Sequence, residues 1–165
     1  HTNLLDFARP RQPEFQAVDP ARLIESIIGL AGHSAEQKGI TLRKDVSASV
    51  PSFECDPEQI KQVILNLTIN AVQAMTGPGD VVLSAHQRNS SVVISVRDHG
   101  PGVDEENMDK IFNPFFTTKD TGTGLGLSVV YQIVTQHGGL VRPEQNPDGG
   151  MTFSVILPLH QRRNR

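Results

Sequence analysis

Two short runs carry residue types suited to holding a nucleotide: Asp98-His99-Gly100-Pro101-Gly102 and Gly122-Thr123-Gly124-Leu125-Gly126-Leu127. Asp98 closes an apolar, β-branched stretch, so its carboxylate falls at a strand end. There it can accept a hydrogen bond from an exocyclic amine such as adenine N6. Gly100 and Gly102 let the backbone come close to a flat base, because they carry no Cβ. A turn-forming Asp with ordinary turn glycines gives the same pattern. Gly122, Gly124 and Gly126 precede a helical pattern, where free N–H groups and a partial positive charge suit phosphate. A dinucleotide fingerprint starting at Gly122 needs Gly at 127, where Leu127 stands, and a P-loop needs Gly-Lys-Ser/Thr, which the chain lacks.

A third set lies upstream. Gln59, Gln62, Asn66, Asn70 and Gln73 are spaced to share one helix face. Asn is a poor helix former, so two mid-helix asparagines invite an explanation. Either they bond the backbone of a neighbouring loop, or their amide oxygens serve Mg²⁺, which takes oxygen ligands and bridges to substrate phosphates. Lys119 stands ahead of the second glycine run, to reach a phosphate or to sit in solvent. Phe112, Phe115 and Phe116 read as anchors of that connection to the core.

The elements that must position these residues follow from pattern. Asp19-Pro20 and Asp56-Pro57 each pair an N-cap with a proline at the first helical position. Leu23, Ile24, Ile27, Ile28 and Ala31 give the first helix its apolar face, with Gly39 as its stop. Ile60, Val63, Ile64, Leu67 and Ala71 give the second, which ends near Gly77-Pro78. Strands are expected at about 40–45, 80–87, 91–98, 140–144 and 151–158, and a helix from about Leu125 to His137. Residues 103–124 hold no long periodic element and read as a lid or binding loop. Residues 1–9 read as a helix end, stopped by Pro10 and Pro13. The elements pack as two layers, three helices on one face of a mixed sheet.

Composition bounds the function. The chain has 165 residues, enough for one domain with a full core, and a net charge of only −3, which argues against nucleic acid as partner. Arg162, Arg163 and Arg165 read as a solvated tail. A single cysteine, Cys55, allows no internal disulfide and fits a reducing compartment. Nothing beside it in sequence would activate it. No apolar run approaches the roughly 18 residues of a membrane span. The chain opens on His1 in mid-helix, so it reads as a fragment, with an anchor of the longer protein in the bacterial inner membrane left open.

In order and spacing, these runs resemble the boxes of the catalytic, ATP-binding domain of bacterial sensor histidine kinases, in the GHKL superfamily. Gln62 to Ala71 is similar to the N box, Asp98 to Gly102 to the G1 box, and Ile111 to Phe116 to the F box. Gly122 to Leu127 is similar to the G2 box and Gly149 to Phe153 to the last glycine box. The resemblance covers roughly residues 18–158. The short lid 117–121 and the phrases at 7–10 and 70–74 look closest to the nitrogen-regulation and zinc-responsive branch.

The resemblance implies a Bergerat-type α+β sandwich with a mixed, mostly antiparallel sheet covered on one face by three helices. It implies ATP and Mg²⁺, with Asn70 as metal ligand, Asn66 in support, and Asp98 on adenine N6. Gly100 and Gly102 would shape the base pocket, and Thr152 would help there. Gly122, Thr123, Gly124, Leu125, Gly126 and Leu127 would hold the phosphate side. Many relatives carry a basic residue where Gln73 stands, which shifts phosphate neutralisation toward Lys119. ATPase relatives hold a Glu where Asn66 stands, and an amide is no base, so hydrolysis should be slow. The acceptor should be a histidine followed by an acidic residue. The six histidines are followed by Thr2, Ser34, Gln87, Gly100, Gly138 and Gln161, so none fits.

The expected organisation is therefore 1–13 as the end of a dimerisation-domain helix with linker, 14–160 as catalytic domain and 161–165 as tail. The acceptor would sit on a dimerisation domain outside this chain, a response regulator would be the next partner, and the fragment would be a monomer of a homodimeric kinase. The alternatives are a GHKL serine kinase of anti-sigma type and a non-catalytic nucleotide-binding module.

Overall fold

The computed structural model describes residues 11–111 and 125–162. The elements run β1 (Gln16–Val18), α1 (Pro20–Glu36), β2 (Ile40–Val46), β3 (Phe53–Cys55) and α2 (Pro57–Ala74). Then come β4 (Gly79–Arg88), β5 (Ser91–Arg97), a 3₁₀ turn (Glu105–Lys110), α3 (Leu125–Gln136), β6 (Leu140–Gln145) and β7 (Met151–Pro158). Both Asp-Pro signals open helices. Asp19 accepts from the Ala21 N–H at 3.0 Å and Asp56 from the Gln59 N–H at 3.1 Å. Each cap satisfies a donor that the first helical turn leaves without an intrahelical partner.

The main sheet has the order β2-β4-β5-β7-β6. Only β2–β4 is parallel; the other three pairings are antiparallel. Alternation sorts its two faces. Val81, Leu83, Ala85, Val92, Ile94, Val96, Val155 and Leu157 are buried in the core with Leu23, Ile24, Ile27, Ile60, Ile64, Leu67, Val130 and Val134 of the helices. On the opposite face Ser95 and Ser154 stand in register and share a hydrogen bond of 2.8 Å. The expected two-layer α+β sandwich is the one observed.

Two features lay outside the sequence reading. β1 and β3 form a separate antiparallel ribbon, Gln16 opposite Cys55 and Val18 opposite Phe53. Strands of three residues are too short to show a period, and only the returning chain gives them partners. The 3₁₀ turn at Glu105–Lys110 is likewise shorter than any periodic window. Residues 112–124, and with them the aromatic cluster, Lys119, Gly122, Thr123 and Gly124, lie outside the described residues, as do 1–10 and 163–165.

Candidate functional site

Asp98 follows directly on β5, the central strand, and is 3% exposed. Its backbone N–H donates to the Met151 carbonyl at 2.9 Å. Its Oδ1 accepts from the N–H groups of Gly100 at 2.9 Å and Met151 at 3.1 Å. Among the described residues both hydrogen bonds to this carboxylate go to Oδ1. Two fixed donors on one oxygen hold the carboxylate in a single orientation and leave Oδ2 to accept from elsewhere.

The glycines around Asp98 are places where no side chain fits. A Cβ on Gly100 would run into the Ala74 carbonyl at the end of α2. Gly150 has φ +83°, and a Cβ there would lie 2.8 Å from Asp98 Oδ1. Close packing of three backbones therefore forms the floor beneath Asp98.

The β6–β7 hairpin braces this floor through Thr152 together with Asn146 and Gln145, which the sequence reading did not single out. Asn146 Nδ2 donates to the Asp98 carbonyl at 3.1 Å, and Asn146 Oδ1 accepts from the Thr152 hydroxyl at 2.6 Å. Thr152 thus reaches Asp98 through Asn146. Gln145 Nε2 donates to the Val103 carbonyl, holding the chain just past Gly102. Arg97 adds an ion pair to Asp148 in the hairpin turn at 2.8 Å. From the other side, Met75 Sδ accepts from the His99 N–H at 3.2 Å. Asn, Gln and Met at isolated positions give no local signal, since the bonds that tie them to residues 98–103 span more than 20 positions in the chain.

On α2, Asn66 and Asn70 stand one turn apart on the same face, both half-buried. The amide row divides, however. Gln59 is buried and donates from Nε2 to the Arg11 carbonyl at 2.8 Å, so it belongs to the opposite end of the domain. Gln73 is exposed. Leu125 opens α3. Leu127 packs against the core, while Gly126 would meet no described atom within 4 Å if it carried a Cβ. Among the described residues nothing crowds this helix start, where the positions beside Gly100 and Gly150 are filled.

The donor set suits a metal that arrives with its substrate. Among the described residues no cluster of three or more His, Cys, Asp or Glu side chains forms a cation cage. Neutral amide oxygens on α2 fit Mg²⁺, which keeps waters and takes substrate phosphates as further ligands.

At the far end of α2 a second buried carboxylate has both oxygens engaged within the fold. Asp56 accepts from Arg11 Nη1 at 2.7 Å and the Glu14 N–H at 2.8 Å, besides capping Gln59. Burial works to raise its pKa, but the Arg11 guanidinium and the two backbone donors outweigh it and hold the group at about 2. The Asp56 N–H donates to His137 Nε2 at 3.1 Å, and His137 Nδ1 lies 2.8 Å from the Ile133 carbonyl. A carbonyl only accepts and an amide N–H only donates, so His137 is the neutral Nδ1–H tautomer. Burial lowers its pKa. Cys55 is fully buried and its thiol is pushed up to about 12 by burial, with Asp56 adding, so it is inert as the sequence suggested.

This fold and this pocket define a class: an ATP-binding domain of the GHKL type. Residues 55–161 match the family of histidine kinase-, DNA gyrase B- and HSP90-like ATPases. The chain is 39% identical over 159 residues to the sensor histidine kinase ZraS of Escherichia coli K12, covering 96% of this chain and 34% of ZraS. The catalytic domain of histidine kinase ThkA superposes with a TM-score of 0.81 at 33% identity, covering 89% of this chain and 99% of that one. ThkA in complex with the response regulator TrrA gives 0.83 at 30% identity, covering 94% and 45%. Full-length ShkA in complex with AMPPNP gives 0.87 at 30% identity, covering 98% and 35%. The chain belongs to this family and, within it, to the catalytic domains of sensor histidine kinases. It spans about a third of the length of the curated relatives it matches.

Proposed function

We propose that this domain binds Mg-ATP and donates the γ-phosphoryl group to a histidine on a dimerisation domain of the same kinase, for relay to a response regulator. The observation that carries this reading is the carboxylate of Asp98, buried at the strand end with Oδ1 held by two backbone donors and, among the described residues, no donor on Oδ2. That atom suits adenine N6, and the glycine-packed floor of Gly100, Gly102 and Gly150 suits a flat ring.

Asn70 is the proposed Mg²⁺ ligand, with Asn66 beside it. When bound, the ion neutralises phosphate charge. ATP already supplies negative charge, so neutral amides add no repulsion. Leu125, Gly126 and Leu127 bring the start of α3 to the phosphate side, where its N–H groups and dipole favour anions. Lys119, Gly122, Thr123 and Gly124 complete that side in the reading from sequence. Thr152 acts by orienting Asn146 toward Asp98. Asn66 offers no base to water, so the phosphoryl group waits for a better-placed nucleophile. Transfer then depends on positioning and charge rather than covalent help from this domain. The regulator-bound ThkA relative supports the downstream step. Among the described residues no helix is long and apolar enough to cross a membrane, and the inner-membrane anchor is proposed for the longer protein alone.

The test is thermal unfolding with ADP or AMPPNP, with and without Mg²⁺. Ligand at about a hundred times Kd adds roughly 2.7 kcal/mol, a rise on the order of 5–10 °C for a domain this size. Asp98→Asn should lose the adenine-selective part of that rise and Asn70→Asp the Mg²⁺-dependent part. Equal shifts in both variants and the parent would refute the assignment. Acid-labile phosphohistidine on an added dimerisation domain, rather than acid-stable phosphoserine on a partner, separates the histidine kinase from a serine kinase.

A further inference from the structure

Residues 11–18 form a strap across the ends of the two helices that frame the pocket. Its anchors are specific. Arg11 forms its ion pair with Asp56, the N-cap of α2, and its carbonyl accepts from Gln59 in the first turn of that helix. The Glu14 N–H bonds Asp56 again. Phe15 sets its ring edge-on to His137, just past the end of α3, with centroids 5.5 Å apart and planes at 81°. Gln16 to Val18 then pair with Phe53 to Cys55 as β1–β3. The His137 bond to the Asp56 N–H ties the end of α3 to the start of α2, so one cluster locks both helices and the strap together.

A cap needs only the bond to Gln59. The carboxylate of Asp56 takes two more donors, both from the strap, and is 3% exposed where Arg11 is 51% exposed. A buried carboxylate bonded through both oxygens to three donors holds its partners in one geometry. Through Arg11, its carbonyl and the Glu14 N–H, these bonds fix the strap against the first turn of α2.

We propose that Asp56 and Arg11 are positioning residues for phosphoryl transfer. They fix the chain's entry point against α2 and α3, and so set how the nucleotide site is presented to a phosphoacceptor domain carried ahead of residue 11. This rests on the histidine-kinase reading above. The strap bonds the start of α2, whereas Asp98 and Gly100 lie beside Ala74 at its other end. Breaking it should therefore slow transfer between domains without weakening nucleotide binding, a split that a merely stabilising contact would not give.

The experiment compares the parent with Arg11→Ala, Arg11→Lys and, as a surface control, Arg43→Ala, in a chain extended to carry the dimerisation and phosphoacceptor domain. The readouts are ADP affinity and the rate of phosphohistidine formation at saturating ATP. Arg11→Ala should bind ADP within about twofold of the parent yet form phosphohistidine at least about fivefold more slowly, since small displacements of reacting groups cost rate steeply. Arg11→Lys, which restores a cation for Asp56, should recover most of the rate, and Arg43→Ala should match the parent. An unchanged rate in Arg11→Ala, or a rate loss matched by a loss of affinity, overturns the positioning role while leaving the kinase reading intact. A parent that binds ADP but forms no phosphohistidine overturns the kinase reading and this proposal with it.

Discussion

Asp56 and Asp98 are both buried carboxylates, and they do opposite work. Asp56 caps a helix, pairs with Arg11 and takes a backbone N–H from Glu14, so its acceptor capacity is used within the fold. Among the described residues, Asp98 takes both its N–H donors on one oxygen and none on the other. Burial alone thus does not mark a binding carboxylate. What marks it is acceptor capacity held in a fixed direction and not used up by the fold, because an unmet buried acceptor gains most from an incoming donor.

The largest effect that would break this contrast is at Asp98. Asp98→Ala should reduce ADP affinity by about 100-fold, close to 2.7 kcal/mol, which isothermal titration would read directly. Next is Asp56→Ala, which removes a cap and strands Arg11 together with two backbone donors. It should lower unfolding free energy by about 2 kcal/mol in urea titration while ADP affinity stays near the parent value. If the two variants exchanged phenotypes, the distinction would fail.

Asn146→Ala sharpens the comparison at a smaller scale. It removes the bond to the Asp98 carbonyl and frees the Thr152 hydroxyl, at a cost of about 1 kcal/mol of stability with a measurable loss of ADP affinity. A loss of stability with unchanged affinity would show that the hairpin brace does not serve the pocket.

The pH dependence belongs to the Asp56 end. His137 has a lowered pKa in the fold, so below about pH 6.5 the unfolded chain takes up a proton that the folded one resists, and stability falls with falling pH. Protonation would also set an N–H against the Asp56 N–H. Asp56, held at about 2, gives stability that is present above about pH 4 and lost as pH falls toward 2. In urea titrations across pH, His137→Gln should flatten the first slope and Asp56→Asn the second. Arg43→Ala, which removes an exposed pair with Asp80, should change stability by about 0.5 kcal/mol or less.

The sequence by itself determined the caps and the layers. Asp19-Pro20 and Asp56-Pro57 act within three residues, and the apolar periods of α1, α2 and β4 to β7 depend on neighbours in the chain, so local reading captured them. It also proposes Asp98, Gly100, Gly102, Asn66 and Asn70 for the site, because strand-end carboxylates, close-approach glycines and mid-helix amides are unusual where they stand. Only the tertiary structure decided which carboxylate is bonded through both oxygens and which, among the described residues, through one. It turned Gln59 away from the amide row to the strap, made Asn146 and Gln145 the braces of the floor, and joined Arg11 and His137 to Asp56. The physical reason is range: each of those bonds joins residues more than 40 positions apart, where no sequence period reaches and only the packed backbone sets the distance.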